Sequence, residues 1–291
     1  MSSLRMGFIG VGNIGMVMAK SILKAGIPLT AYDLNEAAVD EIVAAGAKAA
    51  KSCREVAEAS DAVISMVRDV PQTDEVIFGK DGLWEGVRKG SIIILSSTIG
   101  PNYPRNLYAK AKKKGVRVID VGVTKNLPTN EIGQFTLTIS GDDDAIEKCW
   151  PAFEAMGRKI FRAGKIGNGQ AYKLVNNMAA FNIGTVVHEC LNVGLKAGLD
   201  MKMMLEVMKE GTGDSWMGRS MSNMLASRVR MAPPPPPPTD AKTPPRKFVN
   251  KDLVLAKELA EEVGASIPVA KCMNELDEAV EYDAYSAAMR R

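Results

Sequence analysis

The sequence lacks the features that identify nucleic-acid-binding, membrane-spanning and disordered proteins. Among 291 residues, basic residues exceed acidic ones by only three, far below the charge of a typical nucleic-acid-binding domain. No apolar run reaches the ~18 residues that a membrane span needs, because Lys20, Lys24 and Asp33 interrupt the best candidate. Hydrophobic residues make up 46% of the chain, too many for a disordered protein of such low net charge. Composition therefore predicts a globular chain with no nucleic-acid partner and no membrane span.

Cysteine and histidine are scarce, which bears on metal and redox chemistry. The four cysteines show no metal-binding or redox spacing; they are Cys53, Cys149, Cys190 and Cys272. We therefore expect reduced thiols, a cytoplasmic protein and no metal site. No signal peptide is expected, since a strand and a glycine turn begin by Met6. The single histidine, His188, is expected to be packed or at an interface rather than catalytic.

The first half of the chain alternates short apolar runs with helical stretches. The runs predicted as strands are 5–9, 28–32, 62–66, 91–95, 117–120 and 135–140. The stretches predicted as helices are 15–25, 37–44, 53–59, 73–78 and 103–114. A run that is apolar throughout, such as Ile92–Leu95, is typical of a parallel sheet covered on both faces. The alternation predicts a doubly wound α/β domain.

The second half is predicted to be entirely helical. Its first helix, 169–197, has no proline and would be about 43 Å long at 1.5 Å per residue. The further predicted helices are 202–209, 216–229, 252–263 and 269–282. Three glycines between 164 and 169 place the boundary between an N-terminal domain, 1–164, and a C-terminal domain, 165–291. Eight of the 15 prolines lie within 232–246, which is predicted to be a stiff loop in the second domain.

A glycine-rich motif follows the first predicted strand. The residues Gly10-Val11-Gly12-Asn13-Ile14-Gly15 match G-x-G-x-x-G where a strand ends and a helix begins. Gly10 would allow a tight turn, Gly12 would let the backbone approach a pyrophosphate, and Gly15 would let helix and strand pack closely. The motif predicts a dinucleotide site at the helix N-terminus. The alternative is a glycine-rich turn without a ligand.

An acidic residue ends the second predicted strand. Asp33 lies 18 residues after Gly15, close to the spacing of about 20 for a carboxylate that binds the adenine ribose hydroxyls. Such a carboxylate repels a 2′-phosphate, and no arginine follows it at Leu34-Asn35. NAD is therefore predicted in preference to NADP. Alternatively, Asp33 only caps the helix that starts near Glu36.

Four motifs resemble those of the β-hydroxyacid dehydrogenases, the family of 3-hydroxyisobutyrate dehydrogenase. They are GFIGVGNIG at 7–15, SSTI at 96–99, GNGQAYKLVNN at 167–177 and KDL at 251–253. The resemblance covers almost the whole chain. It implies a Rossmann domain, a long connecting helix, an all-α C-terminal domain and a homodimer or homotetramer. It also implies hydride transfer between a nicotinamide and the alcohol of a small anionic hydroxy acid.

The same resemblance implies roles for single residues. Lys173 matches the family's catalytic acid/base, and Asn177 matches the asparagine that orients the substrate. Lys251 matches the lysine near the nicotinamide and the substrate. The remaining positions implied to contact the cofactor are Val67, Arg68, Gln72 and Thr98. At one of these the chain departs from the family, because Arg68 replaces the usual proline.

A lysine suits this chemistry because some group must accept the hydroxyl proton as the hydride leaves. Lys173 could do so with a pKa of about 7 to 8. Burial and a neighbouring ammonium both lower a lysine pKa, and Lys251 would be that neighbour. Lys173 and Asn177 are four residues apart, so one face of the long helix presents both. The alternative is that they form a solvated polar face.

The chain departs from the family after the strand that ends at Asp120. The family usually continues Ala-Pro-Val-Ser-Gly-Gly, whose serine and glycine amides hold the substrate carboxylate. This chain continues Val121-Gly122-Val123-Thr124-Lys125-Asn126. We expect Thr124, Lys125 and Asn126 to bind a substrate that carries a second anionic or polar group. Alternatively, Lys125 faces solvent.

Two other functions stay open. One is an aldehyde, semialdehyde or imine reductase on the same scaffold, which Asp33 disfavours because such enzymes usually take NADPH. The other is a regulatory protein that binds NAD without turnover, which the retained Lys173, Asn177 and Lys251 disfavour.

Overall fold

The computed structural model describes residues 4–125, 133–228 and 247–276. Its strands are β1 (Met6–Ile9), β2 (Leu29–Tyr32), β3 (Lys48–Ala49), β4 (Ala62–Ser65), β5 (Ile92–Leu95), β6 (Arg117–Lys125), β7 (Phe135–Gly141) and β8 (Gly157–Gly164). The helices before and between them are α1 (Asn13–Lys24), α2 (Glu36–Ala44), α3 (Cys53–Ala59), α4 (Val70–Phe78), α5 (Leu83–Gly86), α6 (Asn102–Lys114) and α7 (Asp143–Met156). The helices that follow are α8 (Asn168–Lys196), α9 (Met201–Glu210), α10 (Trp216–Arg228), α11 (Lys247–Glu262) and α12 (Pro268–Leu276).

The eight strands form one sheet in the order β3-β2-β1-β4-β5-β6-β7-β8. All neighbouring pairs are parallel except β6 with β7. The first six strands have the order 3-2-1-4-5-6, which is that of the dinucleotide-binding α/β fold. The predicted doubly wound sheet is therefore confirmed.

Two apolar cores cover the two faces of this sheet. Alternate residues of β5 belong to different cores: Ile92 and Ile94 pack with Phe8 on one face, whereas Ile93 and Leu95 pack on the other. This division explains why the strand has no polar residue, because neither of its faces meets water.

Four elements of the N-terminal unit were not predicted. One is the four-residue helix α5 (Leu83–Gly86), which is shorter than two turns and therefore too short to show a helical period. Strand β3 has only two residues, both exposed, at one edge of the sheet. Strand β8 lies at the other edge and carries three exposed basic residues, Arg158, Lys159 and Arg162. Charged edge strands lack the apolar alternation that identifies strands in a sequence. Helix α7 contains Pro151, a residue that usually argues against a helix interior.

The described residues of the C-terminal half form helices and short connections, with no strand, as predicted. Helix α8 has 29 residues, the predicted length, and α11 begins at Lys247 instead of 252. The chain divides into two compact units, 1–173 and 174–291, so the division falls within α8. A small core of the second unit contains Val187, Leu191, Leu205 and Met221. The proline-rich segment 232–246 and the end of the helix predicted over 269–282 lie outside the described residues.

A search of the described helices finds none that is long and apolar enough to cross a membrane. Nor do the described residues bring three or more histidine, cysteine, aspartate or glutamate side chains together in a way that could hold a metal ion.

Candidate dinucleotide and catalytic site

Three loops of the N-terminal unit leave the same edge of the sheet. They follow the carboxyl ends of β1, β4 and β5, which are adjacent and parallel. Strand β1 pairs with β2 on its other side, so the strand order reverses direction at β1. In open α/β sheets, ligands bind in the crevice outside the carboxyl ends of the strands at such a point. The fold therefore directs these three loops toward a ligand.

The glycines of the loop between β1 and α1 have different reasons to lack a side chain. Gly10 has a φ of +90°, and a Cβ there would collide with the carbonyl oxygen of Met66. A Cβ at Gly15 would collide with the carbonyl oxygen of Gly10. Among the described residues, no atom lies within 4 Å of where a Cβ at Gly12 would stand. A tight turn, a close helix–strand approach and an open backbone are what a pyrophosphate-binding loop requires.

The first turn of α1 fits an anion. The helix begins at Asn13, earlier than predicted, with Gly12 as its N-cap. Within the described part of the chain no side chain caps this helix, and its first turn holds no acidic residue. Backbone N–H groups at a helix start attract negative charge. The loop and the helix together therefore fit a dinucleotide pyrophosphate.

Asp33 is held by the glycine loop. Its Oδ2 accepts a hydrogen bond from the backbone N–H of Val11 at 2.8 Å, and its Oδ1 accepts one from Asn35 N–H at 2.9 Å. Helix α2 is capped by Asn35, whose side chain accepts from Ala37 N–H. The alternative that Asp33 caps this helix is therefore wrong. The carboxylate stands beside the loop that would hold the pyrophosphate, as ribose binding requires.

The loops after β4 and β5 are joined by a hydrogen bond. The backbone N–H of Val67 donates to Ser97 Oγ at 2.8 Å. Within the first loop, the N–H of Arg68 donates to Gln72 Oε1 at 3.1 Å. Thr98 follows Ser97 and is half-buried. Four of the positions predicted to contact the cofactor, Val67, Arg68, Gln72 and Thr98, thus belong to two loops joined by a hydrogen bond.

Buried hydrogen bonds hold the start of α8 against the sheet. Asp120 of β6 is fully buried, and its carboxylate accepts from the N–H groups of Gly167 and Gln170, both at 2.8 Å. Ser140 of β7 donates its hydroxyl to Asp120 and accepts from Gly169 N–H at 3.1 Å. Burial raises the pKa of Asp120, and these hydrogen bonds oppose that shift.

The side chain of Gln170 connects α8 with the loop after β5. It is 1% exposed; its Oε1 accepts from Ile99 N–H at 3.0 Å. Its Nε2 donates to the carbonyl oxygen of Ser97 at 3.0 Å. The two bonds therefore flank Thr98.

Lys173 lies on α8 where the helix packs against β6. A Cβ at Gly122 would stand only 2.9 Å from Lys173 Cβ and would collide with Gly169 O and Thr138 Oγ1. Gly122 is the position at which the resembling family usually has proline. Only a residue without a side chain allows this close approach of helix and strand, so Gly122 belongs to the surroundings of Lys173.

Asn177 and Lys251 share a partner in the C-terminal unit. Asn177 is 9% exposed, and its Nδ2 donates to Asp252 Oδ2 at 2.6 Å. The Nζ of Lys251 lies 3.6 Å from Asp252 Oδ1. Asp252 thus joins α11 to α8 through Asn177 and pairs with Lys251 within α11.

The three other residues predicted to bind the substrate lie at or beyond the end of β6. Thr124 and Lys125 belong to this strand, which pairs with β7 there, so the segment is a strand rather than a loop. Thr124 is half-buried and Lys125 is exposed. Asn126 lies outside the described residues.

Sequence reasoning assigned no role to three residues of this site, Asp120, Gln170 and Asp252. Gln170 lies inside the motif at 167–177, and Asp252 lies inside the motif at 251–253. Their place in these motifs is the only sequence signal that could have identified them. Their partners lie 50, 71 and 75 positions away along the chain. Contacts over such separations form only when the chain has folded.

Comparisons with known proteins match both units. Residues 5–164 match the NAD binding domain of 6-phosphogluconate dehydrogenase. Residues 167–288 match a family described as NAD-binding of NADP-dependent 3-hydroxyisobutyrate dehydrogenase.

Similar whole proteins are also known. The chain is 35% identical to an NAD-dependent L-serine dehydrogenase of Pseudomonas aeruginosa over 91% of this chain and 88% of that protein. It is 33% identical to a 3-hydroxyisobutyrate dehydrogenase of the same species over 90% and 87% of the two chains. A crystal structure of 3-hydroxyisobutyrate dehydrogenase from Salmonella typhimurium superposes with a TM-score of 0.78 at 25% identity, covering 99% of this chain and 95% of the other.

Proposed function

The chain belongs to the β-hydroxyacid dehydrogenase family, and from this premise we propose that it oxidises a small, polar β-hydroxy acid with Lys173 as the general acid/base. The proposal rests on the observation that three required features lie in the same compact unit. The open glycine loop, Asp33 and Lys173 all belong to the N-terminal unit. A dehydrogenase of this family needs those three features for its chemistry.

The chemistry divides between cofactor and protein. Bound NAD would supply the hydride acceptor for the alcohol carbon. The Nζ of Lys173 takes the hydroxyl proton during oxidation and returns it during reduction. The close packing of Lys173 Cβ on Gly122 limits the directions in which the side chain can extend. A side chain with few available directions suits a proton acceptor that must approach the substrate hydroxyl in one geometry.

Asn177 orients the substrate in this proposal, and Lys251 attracts its carboxylate. Asp252 accepts a hydrogen bond from the Asn177 amide nitrogen, so the amide nitrogen rather than the amide oxygen of Asn177 faces this carboxylate. That oxygen accepts from Asn176 Nδ2 at 3.3 Å. The amide orientation is thus determined before a substrate binds.

We extend the proposal to cofactor preference. The Asp33 carboxylate already accepts two backbone N–H groups, so its charge is held in place beside the glycine loop. A 2′-phosphate at the ribose would meet this charge, whereas ribose hydroxyls would donate to it. We therefore propose that NAD is used in preference to NADP.

The substrate carries a polar group besides its carboxylate in our proposal. The known relatives act on 3-hydroxyisobutyrate and L-serine, as their names state. Thr124 keeps the hydroxyl of the family's serine, whereas Lys125 and Asn126 provide a cation and an amide where the family usually has glycines. A screen with NAD should compare L-serine, glycerate, 3-hydroxypropionate and 3-hydroxyisobutyrate. A kcat/KM at least tenfold higher for the polar compounds supports the proposal, and a preference for 3-hydroxyisobutyrate contradicts it.

Replacement of Lys173 tests the central role. Lys173→Ala removes the proton acceptor, so kcat should fall about 10²- to 10⁴-fold. NADH binding, measured by fluorescence titration, should stay within twofold of the parent. Lys165→Ala is the matched control, because Lys165 is an exposed lysine just before α8, and it should keep full activity. Unchanged turnover in Lys173→Ala would refute the role.

The assembly, location and domain division are further parts of the proposal. We propose a homodimer or homotetramer in the cytoplasm, with a cofactor domain of 1–164 and a substrate and oligomerisation domain of 165–291. Four large apolar side chains on α8, those of Val175, Ile183, Val186 and Val193, are 43 to 69% exposed, which supports an oligomer. All four cysteines are free, which suits a reducing compartment.

A further inference from the structure

We propose that Gln170 is a positioning residue that holds the Thr98 segment at a set distance from the lysine of α8. The inference rests on the proposed function, because it concerns how Lys173 meets the reacting group. It goes further, because it assigns the alignment of Lys173 with the reacting group to Gln170. In this proposal Gln170 touches neither substrate nor cofactor. All of the contacts that carry it lie within the N-terminal unit.

The first step is the clamp itself. Oε1 of Gln170 accepts from Ile99 N–H, and its Nε2 donates to Ser97 O, both at 3.0 Å. One amide therefore binds the backbone on both sides of Thr98. Because Gln170 is buried, water cannot replace these bonds without opening the structure. The clamp limits how far the Thr98 segment can move from α8.

The second step is that the helix end of the clamp is itself fixed. The backbone N–H of Gln170 donates to buried Asp120 at 2.8 Å, and Gly167 donates to the same carboxylate. Ser140 accepts from Gly169 N–H and donates to Asp120. Backbone groups of the first turn are thus tied to β6 and β7. The Gln170 side chain therefore extends from a helix turn whose backbone is hydrogen-bonded to the sheet.

The third step connects the clamp to the loop after β4. Ser97, whose carbonyl oxygen Gln170 holds, accepts from Val67 N–H at its hydroxyl. The chain of contacts therefore runs from Val67 through Ser97 and Gln170 to α8. It passes through two loops predicted to contact the cofactor and ends three residues before Lys173. A shift of about 1 Å between a catalytic group and its target can cost about 100-fold in rate.

The main test is Gln170→Met, which keeps the side-chain volume and loses both hydrogen bonds. We expect kcat to fall about 10- to 100-fold. The KM values for NAD and hydroxy acid should change less than threefold, because Asp33, the glycine loop and Asn177 are unaltered. The deuterium isotope effect on kcat should rise, since the chemical step becomes slower than product release. A kcat within twofold of the parent overturns the proposal.

Gln170→Glu is the second variant, in case the methionine does not fold. It keeps the acceptor for Ile99 N–H and loses the donor to Ser97 O, so its kcat should lie below that of the parent. Tyr108→Phe is the matched structural control, because it removes a 2.7 Å bond to Asp142 from α6 of the same unit. If Tyr108→Phe lowers kcat as much as Gln170→Met does, Gln170 has no special role and the proposal fails.

Two measurements do not depend on turnover. Gln170→Met should bind ADP-ribose, which lacks the nicotinamide, within twofold of the parent. Hydrogen exchange should become faster at 97–99 while that at 10–15 stays unchanged. If the parent turns over no hydroxy acid, the proposed function fails, and faster exchange at 97–99 would still support the clamp. Unchanged exchange at 97–99 overturns the clamp whether or not the enzyme is active.

Discussion

Single residues carry the cofactor preference that we propose for the N-terminal unit. Gly12 leaves open space where a side chain would stand, and Asp33 contributes a carboxylate whose two oxygens are bound to backbone N–H groups. The glycine admits any dinucleotide, since every dinucleotide has a pyrophosphate. In our proposal Asp33 separates NAD from NADP, because the two differ by the phosphate on the adenine ribose.

Replacement of Asp33 should therefore shift cofactor preference. Asp33→Ser removes the negative charge and the acceptor for ribose hydroxyls, so we expect the ratio of kcat/KM with NAD to that with NADP to fall at least about tenfold, equivalent to 1.4 kcal/mol. Steady-state kinetics with both cofactors measures this ratio. Asp40→Asn is the control, since Asp40 is an exposed carboxylate on α2 and should leave the ratio unchanged. An unaltered ratio in Asp33→Ser would contradict the assigned role.

At the scale of elements, α8 carries an apolar surface that the described residues of its own unit leave exposed. We call Val175, Ile183, Val186, Cys190 and Val193 the α8 stripe. At 100° per residue these positions fall within an arc of about 80°, along about 27 Å of helix. All five are exposed, while Val187 and Leu191 on the other side form a core. A stripe of this kind favours contact with a second copy of the chain.

Charge on the α8 stripe should disrupt the oligomer that we propose. Val186→Glu combined with Val193→Glu would bury carboxylates without partners, so the assembly should dissociate. Light scattering after size-exclusion chromatography measures the mass. The control is Val43→Glu, a change at an exposed valine of α2, which should leave the mass unaltered. A parent chain that is already monomeric at micromolar concentration would contradict the assignment.

Thiol labelling of Cys190 is a second test of whether the α8 stripe is covered. Cys190 should react slowly in the parent oligomer and quickly in the double variant. Cys53 and Cys149 are internal controls, because burial raises the pKa of the first to about 11 and of the second to about 12. Both should stay unlabelled in either protein while it is folded.

At the scale of the whole molecule, we expect stability in acid to depend on an ion pair that joins neighbouring strands of the sheet whose residues lie 56 positions apart along the chain. Arg5, just before β1, binds Asp61, just before β4, with its backbone N–H and its guanidinium. The hydrogen bonds from Arg5 hold the pKa of Asp61 below its ordinary value. A lowered folded-state pKa contributes stability above the unfolded value of about 3.9, and this contribution is lost as the pH falls through the folded value.

Asp61→Asn should therefore lower the thermal midpoint at pH 7, and the difference from the parent should shrink below about pH 4. Calorimetry across this range measures both effects. Asp143→Asn is the control, because Asp143 is 92% exposed and lies 3.8 Å from its partner Arg162, so it should change little. A difference that stays constant from pH 7 to pH 3 would show that the ion pair is not the cause.

Much of this architecture could be predicted, and the misses have a common origin. The strands predicted from continuous apolar runs were found, because β1, β4 and β5 are buried on both faces. The edge strands β3 and β8 were not found, because exposed residues carry no such pattern. Likewise the glycine loop, Asp33 and Lys173 were recognised from sequence patterns. The supporting roles of Asp120 and Gln170 were not, because a buried hydrogen bond leaves no periodicity in a sequence, even where the residue lies inside a motif as Gln170 does.

The sequence by itself determined the alternation of strands and helices, the cofactor loop and the family, because each depends on local spacing or on residues within one motif. Only the tertiary structure decided that Asn35 rather than Asp33 caps α2, that Gly122 must lack a side chain beside Lys173, and that one buried amide flanks Thr98. These three depend on atoms that lie far apart along the chain or compete for the same partner. Such contacts are determined by packing, which no local pattern records.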